Sequence, residues 1–67
     1  MMTFYDLLNV ISLDYCVEVY DVDGYLIQDG VRGMVMWQDD LLDIRVRVIY
    51  PHNETIRVIL KEKYKNG

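Results

Sequence analysis

The residue types that carry most catalysis are scarce in this chain, which has one cysteine and one histidine among 67 residues. A thiol nucleophile needs a neighbouring histidine, so Cys16 and His52 are the only pair that could supply this chemistry. Cys16 alternates with Val17 and Val19 in a predicted strand, where a free cysteine is usually a small buried hydrophobe. His52 follows Pro51 in a predicted turn. We therefore predict a protein that is not an enzyme.

Acidic residues and glycines offer other kinds of chemistry. Asp21-Val22-Asp23-Gly24 resembles the beginning of a calcium loop, but the closing glutamate of such a loop does not follow, so we predict a turn. Asp39, Asp40 and Asp43 could gather around a divalent cation or form the solvated first turn of a helix. The four glycines match neither a phosphate loop nor a dinucleotide fingerprint. We predict no metal and no cofactor.

Charge is divided unevenly along the chain, whose net charge is −4. Residues 1–43 hold nine acids against Arg32 alone, which gives −8. Residues 44–67 hold six bases, Lys65 among them, against two acids, which gives +4. Acidic and basic strands could lie side by side and neutralise each other. Alternatively, the two halves could form separate faces for different partners.

The element that begins the chain is predicted to be an amphipathic helix over residues 3–11. Thr3 and Asp6 resemble a capping box, with aspartate in place of the usual glutamate or glutamine. The apolar residues with the spacing of one buried helix face are Phe4, Leu7, Leu8 and Ile11.

Two hairpins are predicted after the helix. In the first, a three-residue loop at 22–24 sets Val19 opposite Ile27. In the second, a loop of residues 51–53 fixes the register of the returning strand. The pairs predicted across this second hairpin are Val48 with Ile56, Val46 with Val58 and Ile44 with Leu60.

Between the hairpins, residues 34–37 are predicted as a short strand and residues 38–43 as a helical turn. Because helix and strands are segregated along the chain, the fold class is α+β, a single domain over residues 1–67. We expect the N-terminal helix to pack on a small antiparallel sheet made mainly of the two hairpins.

Self-association is expected because a chain of this size buries only about 60% of the surface that its unfolded form exposes. Six tyrosines and one tryptophan are many for 67 residues, and these types are favoured at interfaces. If Leu26 joins Tyr20 on the sheet face opposite Val17 and Val19, both faces carry apolar residues. One helix cannot cover both, so we predict a homodimer or a higher oligomer.

Two binding surfaces are predicted. The acids of residues 38–43, with an aromatic anchor beside them, would contact a basic protein partner; these residues are Trp37, Asp39, Asp40 and Asp43. A basic strand face could instead follow a nucleic-acid backbone; its residues are Arg45, Arg47, Arg57 and Lys61. In the predicted register Arg47 lies opposite Arg57, which is unfavourable unless an acid such as Glu18 lies near.

No targeting segment is expected, because the N-terminal part carries Asp6 and has no lysine or arginine before Arg32. No apolar run approaches the roughly 20 residues that span a bilayer. With a lone cysteine, these features favour the cytoplasm and no membrane partner.

The layout of residues 3–11, the strand at 17–21, its return at 26–30 and the hairpin at 44–60 resembles a group of small acidic proteins. These are encoded by phages and prophages of Gram-positive bacteria and include inhibitors of host defence such as anti-CRISPR proteins. The resemblance implies an accessory protein that inhibits or adapts a host nucleic-acid-handling protein by binding it. The alternative is a small oligomeric protein that binds DNA or RNA.

Overall fold

The N-terminal helix forms as its capping signals predict. The structure, a computed structural model, describes residues 2–64; Met1 and residues 65–67, Lys65 included, lie outside this range. Helix α1 (Phe4–Leu8) begins with a complete capping box. The Thr3 amide donates to the Asp6 carboxylate at 3.1 Å, and the Asp6 amide donates to the Thr3 hydroxyl at 3.2 Å. The regular helix is shorter than predicted, yet the predicted apolar face, including Ile11 after its end, is buried.

The remaining elements are two hairpins separated by a short helix. Their bounds are β1 (Cys16–Tyr20), β2 (Leu26–Val31), α2 (Asp39–Leu42), β3 (Val46–His52) and β4 (Thr55–Leu60). The sheet order is β2-β1-β4-β3. Each hairpin is antiparallel, whereas β1 and β4 pair in parallel. The α+β class and the two hairpins are confirmed, but the sheet is mixed rather than antiparallel.

The first hairpin has the predicted loop but a different register. The Asp21 amide donates to the Tyr25 carbonyl at 2.9 Å, so residues 22–24 form the three-residue loop. A bulge then places Val19 opposite Gln28 and not opposite Ile27, which was the predicted partner. The bulge adds one residue to β2, so that Leu26 pairs with Tyr20 and lies on the same face of the sheet.

The predicted register of the second hairpin is wrong. The turn contains two residues, Asn53 and Glu54, because His52 and Thr55 already pair. Asn53 has φ +54°, a left-handed conformation that asparagine tolerates better than most residues. A bulge between Val46 and Val48 shifts the pairing again. The resulting pairs include Val46 with Leu60, Val48 with Ile59 and Tyr50 with Arg57.

Residues 34–37 do not form the predicted strand. They belong to a connecting segment, residues 32–45, which joins β2 at one edge of the sheet to β3 at the other. Gly30 allows this segment to pack closely on β2, since a Cβ there would collide with a methyl carbon of Val35. The predicted helical turn within the segment is confirmed as α2, between Gln38 and Asp43.

The core lies on one face of the sheet. Val17, Val19, Val58 and Leu60 are fully buried there. Both helices pack against them in one cluster, to which α2 contributes Leu41. The opposite face of the sheet, here called the open face, carries the alternate residues of the same strands. The expectation that Cys16 is buried is wrong, because this residue is exposed on the open face. Within residues 2–64, neither helix is long enough to cross a bilayer.

The turn after β1 depends on a buried carboxylate. Asp21 is 4% exposed, and its Oδ1 accepts hydrogen bonds from the amides of Asp23 at 2.9 Å and Tyr25 at 3.1 Å. This is the turn that the sequence predicts in place of a calcium loop.

We expect Asp21→Ala to lower the free energy of unfolding by about 1–3 kcal/mol, because two amides lose their acceptor. Asp21→Asn keeps the Oδ1 acceptor and should cost less. Urea denaturation of the two variants measures the difference. Equal losses would mean that the carboxylate charge, and not the two hydrogen bonds, supports the turn.

Candidate protein-binding surface

Helix α2 holds two of the predicted acidic contact residues in the solvent. Asp39 and Asp40 form its first turn and are exposed, while Leu41 is fully buried and attaches the helix to the core. Asp40 accepts a hydrogen bond from the Tyr64 hydroxyl at 3.1 Å. Partial burial and, to a smaller extent, this bond raise the pKa of Tyr64 above its ordinary value. The two carboxylates are therefore presented on an anchored helix.

Asp43 lies at the other end of α2, as its C-cap, and is also exposed. Within residues 2–64, no three histidine, cysteine, aspartate or glutamate side chains converge to hold a metal ion. The three aspartates of this segment thus surround no cation site. What they provide is negative charge on the surface.

Trp37, predicted as the aromatic anchor of this surface, is engaged within the fold. Its ring is half-buried and meets the ring of Phe4 edge-on, with centroids 5.6 Å apart and an interplanar angle of 82°. Its indole N–H donates to the carbonyl of Arg32 at 3.1 Å. The side chain thus ties the connecting segment to α1.

Two methionines, which sequence reasoning did not select, are the exposed apolar side chains of this segment. Met34 is 83% exposed and Met36 is 92% exposed. The backbone that follows Met36 is held by the side-chain amide of Gln28, whose NH2 group donates to the Met36 carbonyl at 3.0 Å and whose oxygen accepts from the Gln38 backbone amide at 3.1 Å. Met36 is therefore presented from a supported backbone. The sequence did not reveal that these methionines are exposed, because the apolar run of residues 34–37 also predicts a strand.

Together these residues define a methionine–acid surface, formed by Met34, Met36, Asp39 and Asp40 on the connecting segment. Methionine side chains are flexible and polarisable, which suits them to irregular apolar pockets on a partner. Carboxylates next to them add attraction for lysine or arginine. The arrangement suits contact with a protein that offers an apolar pocket rimmed by positive charge.

The predicted basic stripe is not formed as the sequence reasoning placed it. Arg47 is the extra residue of the β3 bulge, and Tyr50 lies opposite Arg57 in its place. Arg47 and Tyr50 are three positions apart, which is about 10 Å along the strand. Arg45 and Lys61 are brought together, since the Lys61 amide donates to the Arg45 carbonyl at 2.9 Å.

Arg57 is paired with the acid that the sequence analysis named as its possible neighbour. Glu18 lies beside it in register, and the two side chains form an ion pair at 3.2 Å. The Arg57 guanidinium also lies 5.5 Å from the ring centroid of Tyr20, whose hydroxyl donates to Glu18 at 3.1 Å. Partial burial and the bond to Glu18 raise the pKa of Tyr20 above its ordinary value. The bond to Glu18 likewise raises the pKa of Arg57.

Cys16 and His52 do not lie on neighbouring strands. Cys16 pairs with Thr55, and Thr55 pairs with His52, so two strand spacings separate the first from the last. That separation is about 10 Å between backbones. His52 instead lines a surface cleft of about 320 Å³ together with Tyr50, Thr55 and Arg57.

Truncation of Trp37 should destabilise the fold, whereas truncation of Met36 should leave its stability nearly unchanged. We expect Trp37→Ala to lower the free energy of unfolding by about 3 kcal/mol, because it removes the contact with Phe4 and leaves a cavity. Met36→Ala should change it by less than about 0.5 kcal/mol. Thermal and urea melts followed by circular dichroism measure both. A Trp37→Ala variant as stable as the wild type would contradict the structural role of Trp37 and favour the predicted role as a surface anchor.

Comparison of the chain with models of protein families, with curated proteins and with solved structures finds no match.

Proposed function

We propose that the protein acts by binding another protein through the methionine–acid surface, as an inhibitor or adaptor without catalytic activity. The observation that carries the proposal is Met36, which is 92% exposed on a backbone supported by Gln28 and lies directly before an exposed acidic turn. Exposed methionines are frequent at surfaces that bind protein partners, because their flexible side chains adapt to irregular apolar pockets.

The partner proposed is a basic protein that handles nucleic acid in the host cytoplasm. Proteins of this class bind phosphates with arginine and lysine, and carboxylates can take the place of those phosphates. Asp39 and Asp40 would meet such side chains, while Met34 and Met36 would fill an apolar pocket beside them. Occupation of that site would exclude nucleic acid. This is the mode of action that the resemblance to phage accessory inhibitors implies.

Direct binding of nucleic acid by this chain is less well supported. Glu18 offsets the charge of Arg57, and the β3 bulge separates Arg47 from it. A backbone-following stripe needs several cations that can each meet a phosphate. Arg45, Arg47 and Lys61 are exposed, but the net charge of the chain is −4.

The acidic residues can be tested by charge reversal. We expect the double substitution Asp39→Lys and Asp40→Lys to slow association with the partner about tenfold or more and to flatten its salt dependence, because complementary charge chiefly accelerates encounter. Met36→Ala should instead speed dissociation, since it removes contact area. The partner is first captured from a bacterial lysate treated with nuclease, and the rates are then measured with the purified proteins by surface plasmon resonance.

A matched control reverses two acids elsewhere. Asp14 and Glu54 are exposed and are not part of the methionine–acid surface. Changing both to lysine produces the same net charge of zero as the double aspartate variant. This control should retain wild-type association apart from a small general effect of charge. Equal slowing in both double variants would show that net charge, and not this surface, governs binding.

Fluorescence anisotropy with labelled DNA and RNA tests the alternative function, direct binding of nucleic acid. We expect no binding at moderate salt. If the wild type binds bare nucleic acid with a steep salt slope, and if Arg45→Ala with Arg47→Ala abolishes it, nucleic-acid binding replaces the proposed function.

A further inference from the structure

The open face of the sheet is organised in rows that run across the four strands, because the three strand registers align them. The middle row, from β2 to β3, contains Asp29, Glu18, Arg57 and Tyr50. Its two acids lie on β2 and β1, and its base lies on β4. The row is thus negative on one half of the sheet and positive on the other.

A second row is apolar throughout. It contains Leu26, Tyr20, Ile59 and Val48, again from β2 to β3. Leu26 is 52% exposed, and the other three are half-buried. Both helices pack on the other side of the sheet. Among residues 2–64, no element therefore covers this row.

We propose that the open face is the interface of a homodimer whose two-fold axis runs along the strands, between β1 and β4. Rotation about such an axis places β1 of one copy over β4 of the second, and β2 over β3. Because Glu18 and Arg57 lie at the same level along the strands, Glu18 then faces Arg57 of the second copy. The acidic half of each sheet meets the basic half of the other.

The same rotation stacks the remaining rows favourably. Tyr20 lies over Ile59 of the second copy, and Leu26 lies over Val48, so the apolar rows cover each other. Asp29 faces Tyr50, whose hydroxyl can donate to it. Sheets that pack face to face keep their strands within about 30° of one another, which an axis along the strands satisfies. The apolar rows supply affinity, and the charges set the orientation.

Other symmetric arrangements are less favourable. A two-fold axis across the strands would place Glu18 over Glu18 and Arg57 over Arg57, and like charges placed together in an interface are strongly unfavourable. Pairing through the outer edge of β3 is hindered by residues 2–4, which already bond to Ile44 and Val46, and by Pro51, which has no N–H to donate. Of the two face-to-face arrangements, the axis along the strands is the one that places opposite charges together.

This inference is independent of the proposed function, since it uses the other side of the sheet. The wild-type protein should sediment at equilibrium with twice the 8.0 kDa mass of the chain at micromolar concentration. Leu26→Asp should give a monomer. Val10→Asp should remain a dimer, because Val10 is also an exposed aliphatic residue, at 73%, but follows α1 on the helical side. A monomeric wild type, or a dimeric Leu26→Asp, would overturn the proposal and leave the open face to another partner.

Charge reversal in two separate chains tests the contact across the axis. Glu18→Arg and Arg57→Glu should each weaken the dimer by at least about 100-fold, because each creates like charges in the interface. Mixed together, the two variants should form a heterodimer, in which the introduced arginine of one chain faces the introduced glutamate of the other. The intrachain ion pair is missing from both, so restored folding cannot explain the recovery. Failure of the mixed, folded variants to associate would exclude this interface.

The single cysteine reports the direction of the axis. With the axis along the strands, the two Cys16 Cα atoms lie about 11 Å apart, from a sheet separation of about 10 Å and one strand spacing. An axis across the strands would separate them by about 17 Å. Bismaleimidoethane should therefore crosslink the wild-type dimer efficiently. A dimer that this short reagent does not crosslink would contradict the proposed orientation.

Discussion

The parallel pairing of β1 with β4 is the constraint on which the rest of the structure depends. Because these two strands are central, β2 and β3 lie at opposite edges of the sheet. The chain must then cross three strand spacings, about 14 Å, to pass from the first hairpin to the second. It crosses on the face where α1 already packs, so the connecting segment completes the core instead of forming an external loop.

The connecting segment therefore serves both folding and the proposed binding. Leu41 and Trp37 point into the core and hold the segment in place. Arg32, the one base of residues 1–43, donates to the Leu8 carbonyl at 2.7 Å and so satisfies one of the acceptors that the end of α1 leaves open. With these residues engaged inside, Met34, Met36 and the two aspartates are held outside on a defined backbone. Precise presentation lowers the entropy lost on binding.

Some of the acidic residues of the N-terminal part pair with basic residues, whereas others form a negative surface. Across the central strands, Glu18 and Arg57 neutralise each other, and on the surface Asp23 and Lys63 form a second pair at 3.7 Å. Exposed pairs of this kind contribute little stability, on the order of 0–1 kcal/mol. The acids of α2 are not paired with basic side chains among the ion pairs of the described residues, and they remain as a negative surface. Neutralised strands and a charged face thus coexist.

The sequence by itself determined α1, the helical turn of α2, the two hairpins and the sides of β1 and β4, whereas the bulge in β3 moves Val48 from the side of Val46 to the open face. Thr3 and Asp6 specify where α1 begins, because their side chains satisfy amides only three residues away. Val17 and Val19, like Val58 and Leu60, stand at every second position and so identify the buried face. Side chains of a strand point alternately to its two faces whatever its neighbouring strand is. The turn at Asp21 and the acidic turn of α2 were likewise predictable from neighbouring residues.

Partners and registers were decided by the tertiary structure. Alternation has a period of two, so it is the same for a parallel and an antiparallel neighbour, and it did not reveal that β1 pairs with β4. The bulges at Ile27 and Arg47 shift the pairing by one residue without changing the composition of either strand. Whether Trp37 or Met36 faces the solvent depends on how residues 32–45 cross the sheet. That path is set by the contact of Trp37 with Phe4 and by the hydrogen bonds of Gln28 to residues 36 and 38. Phe4 and Gln28 are distant from each other in the chain and come together only when it folds.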